Sequence, residues 1–115
     1  MLFRSRVNAV RNAIDNVEFI AANLYTETGP DAWGDAHFDK WLLDPPRTGA
    51  AEPIRRLAPH TAPACIVYVS CNPATLARDA QVLVHDKGYR LTHAGVMDMF
   101  PQTSHVEAMA VFDRA

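Results

Sequence analysis

Hydrophobic residues fall in short runs separated by turn-forming clusters, and the spacing within each run predicts its element. Val7, Val10, Ala13 and Ile14 recur at helical intervals within residues 4–15, with Asn16 as a stop. Residues 17–24 read as a strand. Residues 25–37 hold Gly29-Pro30, Gly34 and three acids, the composition of a surface loop. Residues 38–43 form a second strand that runs into Asp44-Pro45-Pro46-Arg47. Residues 50–58 suit a short helix, with Pro53 tolerated only in its first turn. Residues 65–70 are apolar on both faces, as expected of a central strand covered by helices on each side. Asn72 and Pro73 have the form of an N-cap and a first helical residue. Leu76, Ala80, Leu83 and Val84 then make one apolar stripe, and Gly88 ends it. Residues 89–99 and 106–112 are two last strands joined by residues 100–105.

Strands alternating with helices predict an α/β fold with a mostly parallel sheet. The final connection is too short for a crossover, so the last strand should run antiparallel to its neighbour. Ligands bind beyond the carboxyl ends of the strands in such sheets. Segments 44–47, 70–73 and 100–107 all fall there, and their convergence marks the candidate site.

Composition adds limits. A chain of 115 residues fits one small domain, and 49% apolar with 21% charged residues is ordinary for a globular protein rather than a disordered one. The longest uncharged stretch is broken by Pro59, His60, Pro63, Asn72 and Pro73, so it cannot span a membrane. Arg4, Arg6 and Arg11 interrupt any secretory signal, which makes the cytoplasm the expected location. Cys65 and Cys71 lie at the ends of one strand, roughly 20 Å apart at ~3.3 Å per residue, too far for a disulfide. Free thiols suit a reducing compartment. A net charge of −2 gives no nucleic-acid footprint. Nine arginines against two lysines would suit phosphate contact, although genomic composition produces the same excess. The five scattered histidines show no metal-ligand spacing, and no metal is expected.

Three segments carry a resemblance. Asp-Pro-Pro-Arg-Thr-Gly-Ala (44–50), Val-Ser-Cys-Asn-Pro-Ala-Thr-Leu-Ala-Arg-Asp (69–79) and Asp-Met-Phe-Pro-Gln-Thr-Ser-His-Val-Glu (98–107) are similar, in order and spacing, to those of the RNA 5-methyluridine methyltransferases. The match runs from about residue 7 to the end. Its wording most resembles the branch acting on large-subunit (23S) ribosomal RNA, with the transfer-RNA branch as near neighbour. Asp-Pro-Pro alone would be weak, because many adenine and cytosine N-methyltransferases carry it.

The resemblance implies a Rossmann-like, S-adenosylmethionine-dependent methyltransferase domain and RNA as the partner, rather than DNA or a membrane. Carbon 5 of uracil is a poor nucleophile until a thiolate adds to carbon 6. A base must then remove the carbon 5 proton before the thiol can leave. The resemblance places Cys71 as nucleophile and Glu107 as base. Cys71 directly precedes a helix, whose N-terminal amides favour a thiolate, whereas a lone cysteine is more often structural. Cys65 lacks that context and is expected in the core. His105 is a rival base by its ordinary pKa. The resemblance further implies that Asp44 borders the cofactor and substrate, and that Asn23 contacts the cofactor adenine. Arg47, Asn72 and Arg78 are candidates for site support, and Phe100 for stacking on a base.

The family's glycine-rich turn, the acid after its next strand, and its N-terminal RNA-binding and central domains are not in this sequence. Any iron–sulfur cluster of the parent would lie there. The expectation is therefore a C-terminal piece of a catalytic domain, lacking the first two strands. It should be inactive alone and present a four-stranded sheet, with residues 17–24 either loose or docked beside residues 38–43. Its open edge invites self-association. Two other readings compete. An N-methyltransferase would hold an exocyclic amine with Asp44-Pro45-Pro46, although Arg47 stands where that motif has an aromatic residue. A non-catalytic interaction module would keep the fold without the chemistry.

Overall fold

The structure, a computed structural model, describes residues 2–19, 37–98 and 106–114. The chain divides into two compact units, Met1–Gly34 and Asp35–Ala115. In the first, helix α1 spans Leu2–Arg11. It stops before the expected Asn16 because Ala13 turns left-handed, with φ +55°. The Ile14 amide then donates to the Ala9 carbonyl at 2.9 Å and the Ala13 amide to Val10 at 3.1 Å. That is a Schellman closure, with alanine where glycine is the usual residue. Residues 17–19 are not in a strand, contrary to expectation, and the Phe19 carbonyl instead accepts from the Arg6 guanidinium at 3.2 Å. The rest of that expected strand, residues 20–24, lies outside the described residues.

The second unit holds the sheet. Its elements are β1 (Lys40–Leu43), α2 (Ala51–Arg55), β2 (Cys65–Ser70), α3 (Pro73–His85), β3 (Tyr89–Met97) and β4 (Glu107–Arg114). The spatial order is β1-β2-β4-β3. β1 and β2 are parallel, and β4 runs antiparallel to both β2 and β3. Three strands thus share a direction and the last opposes them. The last strand pairs with its predecessor, as its short connection requires, but it also enters between that strand and β2.

Local chemistry explains the boundaries. Asn72 caps α3 in an extended conformation, accepting from the Ala74 amide, with Pro73 as first helical residue. Gly88, at φ +80°, turns the chain from α3 into β3. Pro53 sits in the first turn of α2, where its missing N–H would have no partner anyway. α2 ends earlier than expected, and Ala58 precedes Pro59, a position that disfavours helix.

α3 packs on β2, β3 and β4, and α2 packs on α3. Ile66, Tyr68, Leu83, Tyr89, Phe112 and Ile54 form the buried centre. β2 alternates, with Ile66, Tyr68 and Ser70 buried toward α3 and Cys65, Val67 and Val69 half-buried on the other face. Within this unit the helices therefore cover one face of β2, where the apolar run predicted both. The α3 stripe also differs. Val84 is exposed, and its place on the buried face is taken by Asp79, which is 1% exposed.

Two buried phenols tie the sheet down. Tyr68 donates to Asp79 Oδ2 at 2.6 Å and Tyr89 to the Pro63 carbonyl at 2.6 Å. Burial raises both hydroxyl pKa values above the ordinary 10.0, and the Asp79 carboxylate raises that of Tyr68 further. A folded-state value above the unfolded one means stability that is fully present below pH 10 and lost as pH climbs past it. Denaturant midpoints should be insensitive to these groups up to about pH 9 and fall above pH 10. Tyr68→Phe should flatten that fall; an unchanged alkaline slope would show that Tyr68 does not contribute.

Candidate active site

The sheet brings four chain segments to one edge. β1, β2 and β3 end there and β4 begins there, so Asp44, Cys71, Asp98 and Glu107 lie at adjacent strand ends. The β2–β4 ladder runs from Cys65↔Asp113 to Ser70↔Ala108. Cys71 is the first residue beyond that ladder on the β2 side, and Glu107, the first residue of β4, is the one next to it on the other. Glu107 is paired on its other side with Met97. Both Cys71 and Glu107 are half-buried, neither sealed in the core nor free in solvent.

Asp44 is exposed immediately beyond β1. The loop it begins is fastened to α3 at several points. The Arg47 carbonyl accepts from Asn72 Nδ2 at 2.9 Å and from Thr75 Oγ1 at 3.0 Å. The Thr48 carbonyl accepts from Arg78 Nη2 at 2.8 Å, and the Ala50 amide donates to Asp79 Oδ2 at 2.8 Å. In return, Arg47 Nη1 reaches the Cys71 carbonyl at 3.5 Å. Gly49 makes the turn at φ +88°, with its amide donating to the Pro46 carbonyl. Behind Cys71, Ser70 Oγ accepts from the Asn72 amide at 2.9 Å and donates to the Asn72 carbonyl at 2.8 Å.

Of the residues picked from the sequence, Cys71, Glu107, Asp44, Arg47, Asn72 and Arg78 gather at this edge. Arg47, Asn72 and Arg78 link the two motif loops to each other. Asn23, Phe100 and His105 lie outside the described residues. Cys65 is not in the core cluster as expected; it is half-buried at the far end of β2. Its thiol pKa is raised, chiefly by burial and then by its hydrogen bond to Asp113. Tyr68, Thr75 and Asp79 were not picked out. An acid three residues after Leu76 on the buried face of α3 is the signal that would have found Asp79.

At the opposite edge, a cavity of about 140 Å³ is lined by Leu57, Pro59, Ala62, Lys87 and Arg114, among others. Its cations are already bonded, Lys87 to the Arg55 and Leu57 carbonyls and Arg114 to that of Pro59. It holds none of the motif residues. Among the described residues no helix is long and apolar enough to cross a membrane, and no cluster of three His, Cys, Asp or Glu side chains could hold a metal.

A crystal structure of Pyrococcus abyssi tRNA (uracil-54, C5)-methyltransferase in complex with S-adenosyl-L-homocysteine superposes on 96% of this chain with TM-score 0.74 and 36% identity, using 26% of its own length. The architecture is thus that of part of a Rossmann-like methyltransferase domain. The chain belongs to the tRNA (uracil-5-)-methyltransferase family, whose model matches residues 31–115. It is also similar to 23S rRNA (uracil(1939)-C(5))-methyltransferase RlmD of Alkalilimnicola ehrlichii, 59% identical over 96% of this chain and 25% of that protein. The RlmD of Thiobacillus denitrificans is 54% identical over 99% of this chain and 26% of its own length. The chain spans about a quarter of the length of the curated relatives it matches.

Proposed function

We propose that this chain supplies the nucleophile and the base of an enzyme that methylates carbon 5 of a uridine in RNA. The observation that supports the reading is the β2–β4 pairing, which brings the end of β2, just before Cys71, and the start of β4, at Glu107, to the same edge of the sheet. The names of the RlmD relatives support 23S ribosomal RNA as the substrate.

The chemistry follows from the two side chains. The Cys71 thiolate adds to carbon 6, forming a C–S bond and pushing the ring electrons into an enolate, so that carbon 5 becomes nucleophilic. The methyl group that carbon 5 takes up would be supplied by S-adenosylmethionine bound in the full-length protein. The Glu107 carboxylate then removes the remaining proton from carbon 5. That electron pair restores the ring double bond, the C–S bond breaks, and Cys71 leaves as thiolate. Arg47, whose guanidinium reaches the Cys71 carbonyl, and Asp44, at the start of the same loop, are proposed to orient the target uracil. Asn23 is proposed for the cofactor adenine and Phe100 for stacking on a nucleobase.

The described residues do not by themselves fit the cofactor. The edge offers one carboxylate beyond β1, Asp44, and no glycine-rich turn to receive the adenosine or the methionine. The 115-residue chain should therefore transfer no methyl group and show no S-adenosylmethionine heat in calorimetry, whereas clear micromolar binding would overturn this part of the reading.

In the full-length enzyme, Cys71→Ala should abolish methylation, since truncating a nucleophile leaves no other route to the carbon 5 enolate. RNA carrying 5-fluorouridine at the target gives the complementary result. Fluorine cannot leave as a cation to a base, so the wild type should stall as a covalent species on a Cys71 peptide. An N-methyltransferase using Asp44-Pro45-Pro46 would instead tolerate Cys71→Ala and form no such species, and that result would end the proposal.

A further inference from the structure

We infer that Asp79 is a positioning residue for methyl transfer: its buried carboxylate holds the loop of residues 44–50 in fixed register with Cys71. The inference rests on the proposed role of Cys71 and concerns a residue that touches neither substrate nor cofactor.

The geometry is that of a clamp. Asp79 is 1% exposed and sits between three partners. Oδ2 accepts from the Ala50 amide at 2.8 Å, on the loop, and from the Tyr68 hydroxyl at 2.6 Å, on β2. Oδ1 accepts from Arg78 Nε at 3.2 Å and Nη2 at 3.1 Å. The same Nη2 also donates to the Thr48 carbonyl at 2.8 Å. One carboxylate thus joins the loop after β1, the strand leading to Cys71, and the guanidinium that grips the loop from outside. A buried carboxylate needs such donors, and each donor is here fixed to an element bearing a proposed site residue.

Two observations separate this from an ordinary buried ion pair. First, Asn72, Thr75, Arg78 and Asp79 recur along one face of the first turns of α3, and all four bond to residues 47–50. Second, the loop backbone is pressed against that face. A Cβ on Gly49 would lie 2.8 Å from Asp79 Oδ2 and 3.1 Å from Thr75 Cβ. Little slack remains between the loop and the helix that begins just after Cys71. The motifs at 44–50 and 69–79 act as two halves of one device, which sets where Asp44 and Arg47 stand relative to the thiol.

Asp79→Asn in the full-length enzyme tests this. An asparagine oxygen can still accept from Ala50 and Tyr68, but its amide group faces the Arg78 guanidinium donor to donor. The readout is single-turnover formation of the Cys71 adduct on 5-fluorouridine RNA, at saturating and at limiting RNA. The rate at saturation should fall about 10- to 100-fold, the scale of a misplacement near 1 Å. RNA affinity should stay close to wild type, and the rate should fall further than the loss in melting temperature accounts for. Tyr68→Phe, which keeps the Ala50 bond, should give a smaller loss of the same kind, and keeps the test open if Asp79→Asn does not fold.

A folded variant that forms adduct at the wild-type rate overturns the inference. So does a rate that falls only in step with RNA affinity and melting temperature, which would make Asp79 a stability residue. Failure of the wild type itself to form the adduct would instead sink the assignment of Cys71, so the two outcomes are distinct.

Discussion

Glu107→Gln in the full-length protein should, on the proposed mechanism, accumulate a protein–RNA adduct that survives denaturation and maps to Cys71. Glutamine keeps the size of the side chain and its place opposite Met97 at the start of β4, so the fold should be preserved. Addition of the thiol and uptake of the methyl group do not need the carboxylate. Removal of the carbon 5 proton does, and a neutral amide cannot accept it. Turnover should therefore drop by the ~10²- to 10⁴-fold typical of a lost general base, while the adduct rises. Denaturing electrophoresis of labelled RNA, followed by mass spectrometry of the crosslinked peptide, reads both. Normal turnover without adduct would remove Glu107 from the mechanism.

The second large effect is on the loop. Gly49→Ala meets two costs at once. Its φ of +88° is unfavourable for a residue bearing a Cβ, by about 1–2 kcal/mol. The added Cβ would also lie 2.5 Å from Arg78 Nη2 and 2.8 Å from Asp79 Oδ2, so the buried carboxylate must shift and loosen its bonds to Ala50 and Tyr68. A buried polar group left unsatisfied costs about 1–3 kcal/mol more. The total is a large share of the ~5–15 kcal/mol that stabilises a small domain. Gly88→Ala is the control. Its φ is +80°, but nothing lies within 4 Å of the added atom, so only the backbone cost applies. Urea titrations of the two variants should differ by more than 1 kcal/mol at 25 °C. Equal losses would mean that the contact between the loop and α3 carries no energy.

Those contacts also show where sequence reasoning stopped. The N-cap of α3 was legible because Asn72-Pro73 has one strong local meaning. The antiparallel final strand was legible because a short link allows nothing else. Insertion of β4 between β2 and β3 was not, since pairing partners distant in sequence leave no mark on local periodicity. For the same reason Cys71 and Glu107 could be chosen by resemblance, but the pairing of the strands that carry them to one edge could not be seen. The apolar run of β2 suggested helices on both faces, because a hydrophobic strand reports burial without saying what buries it. Asp79 went unnoticed as an ordinary polar position on a helix. Only the positions of Tyr68, Arg78 and Ala50 around it reveal the bonds that make its burial tolerable. Arg47, Asn72 and Arg78 could be named only as site support; where that support acts is visible in their hydrogen bonds to the backbone of the two motif loops.

The position of β4 has a consequence for how the domain assembles. Among the described strands, β3 meets the sheet only through β4, and β4 is the neighbour that completes β2. The β3–β4 hairpin is local and can form early, but its docking onto β2 closes a long loop, the slow kind of step in folding. Until then β2 presents a bare hydrophobic edge on the side that β4 will cover. Folding intermediates that lack this docking step would be the aggregation-prone species. On the proposed mechanism they would also be the ones without chemistry, because the step that seals the sheet is the step that brings the start of β4, with Glu107, to the end of β2.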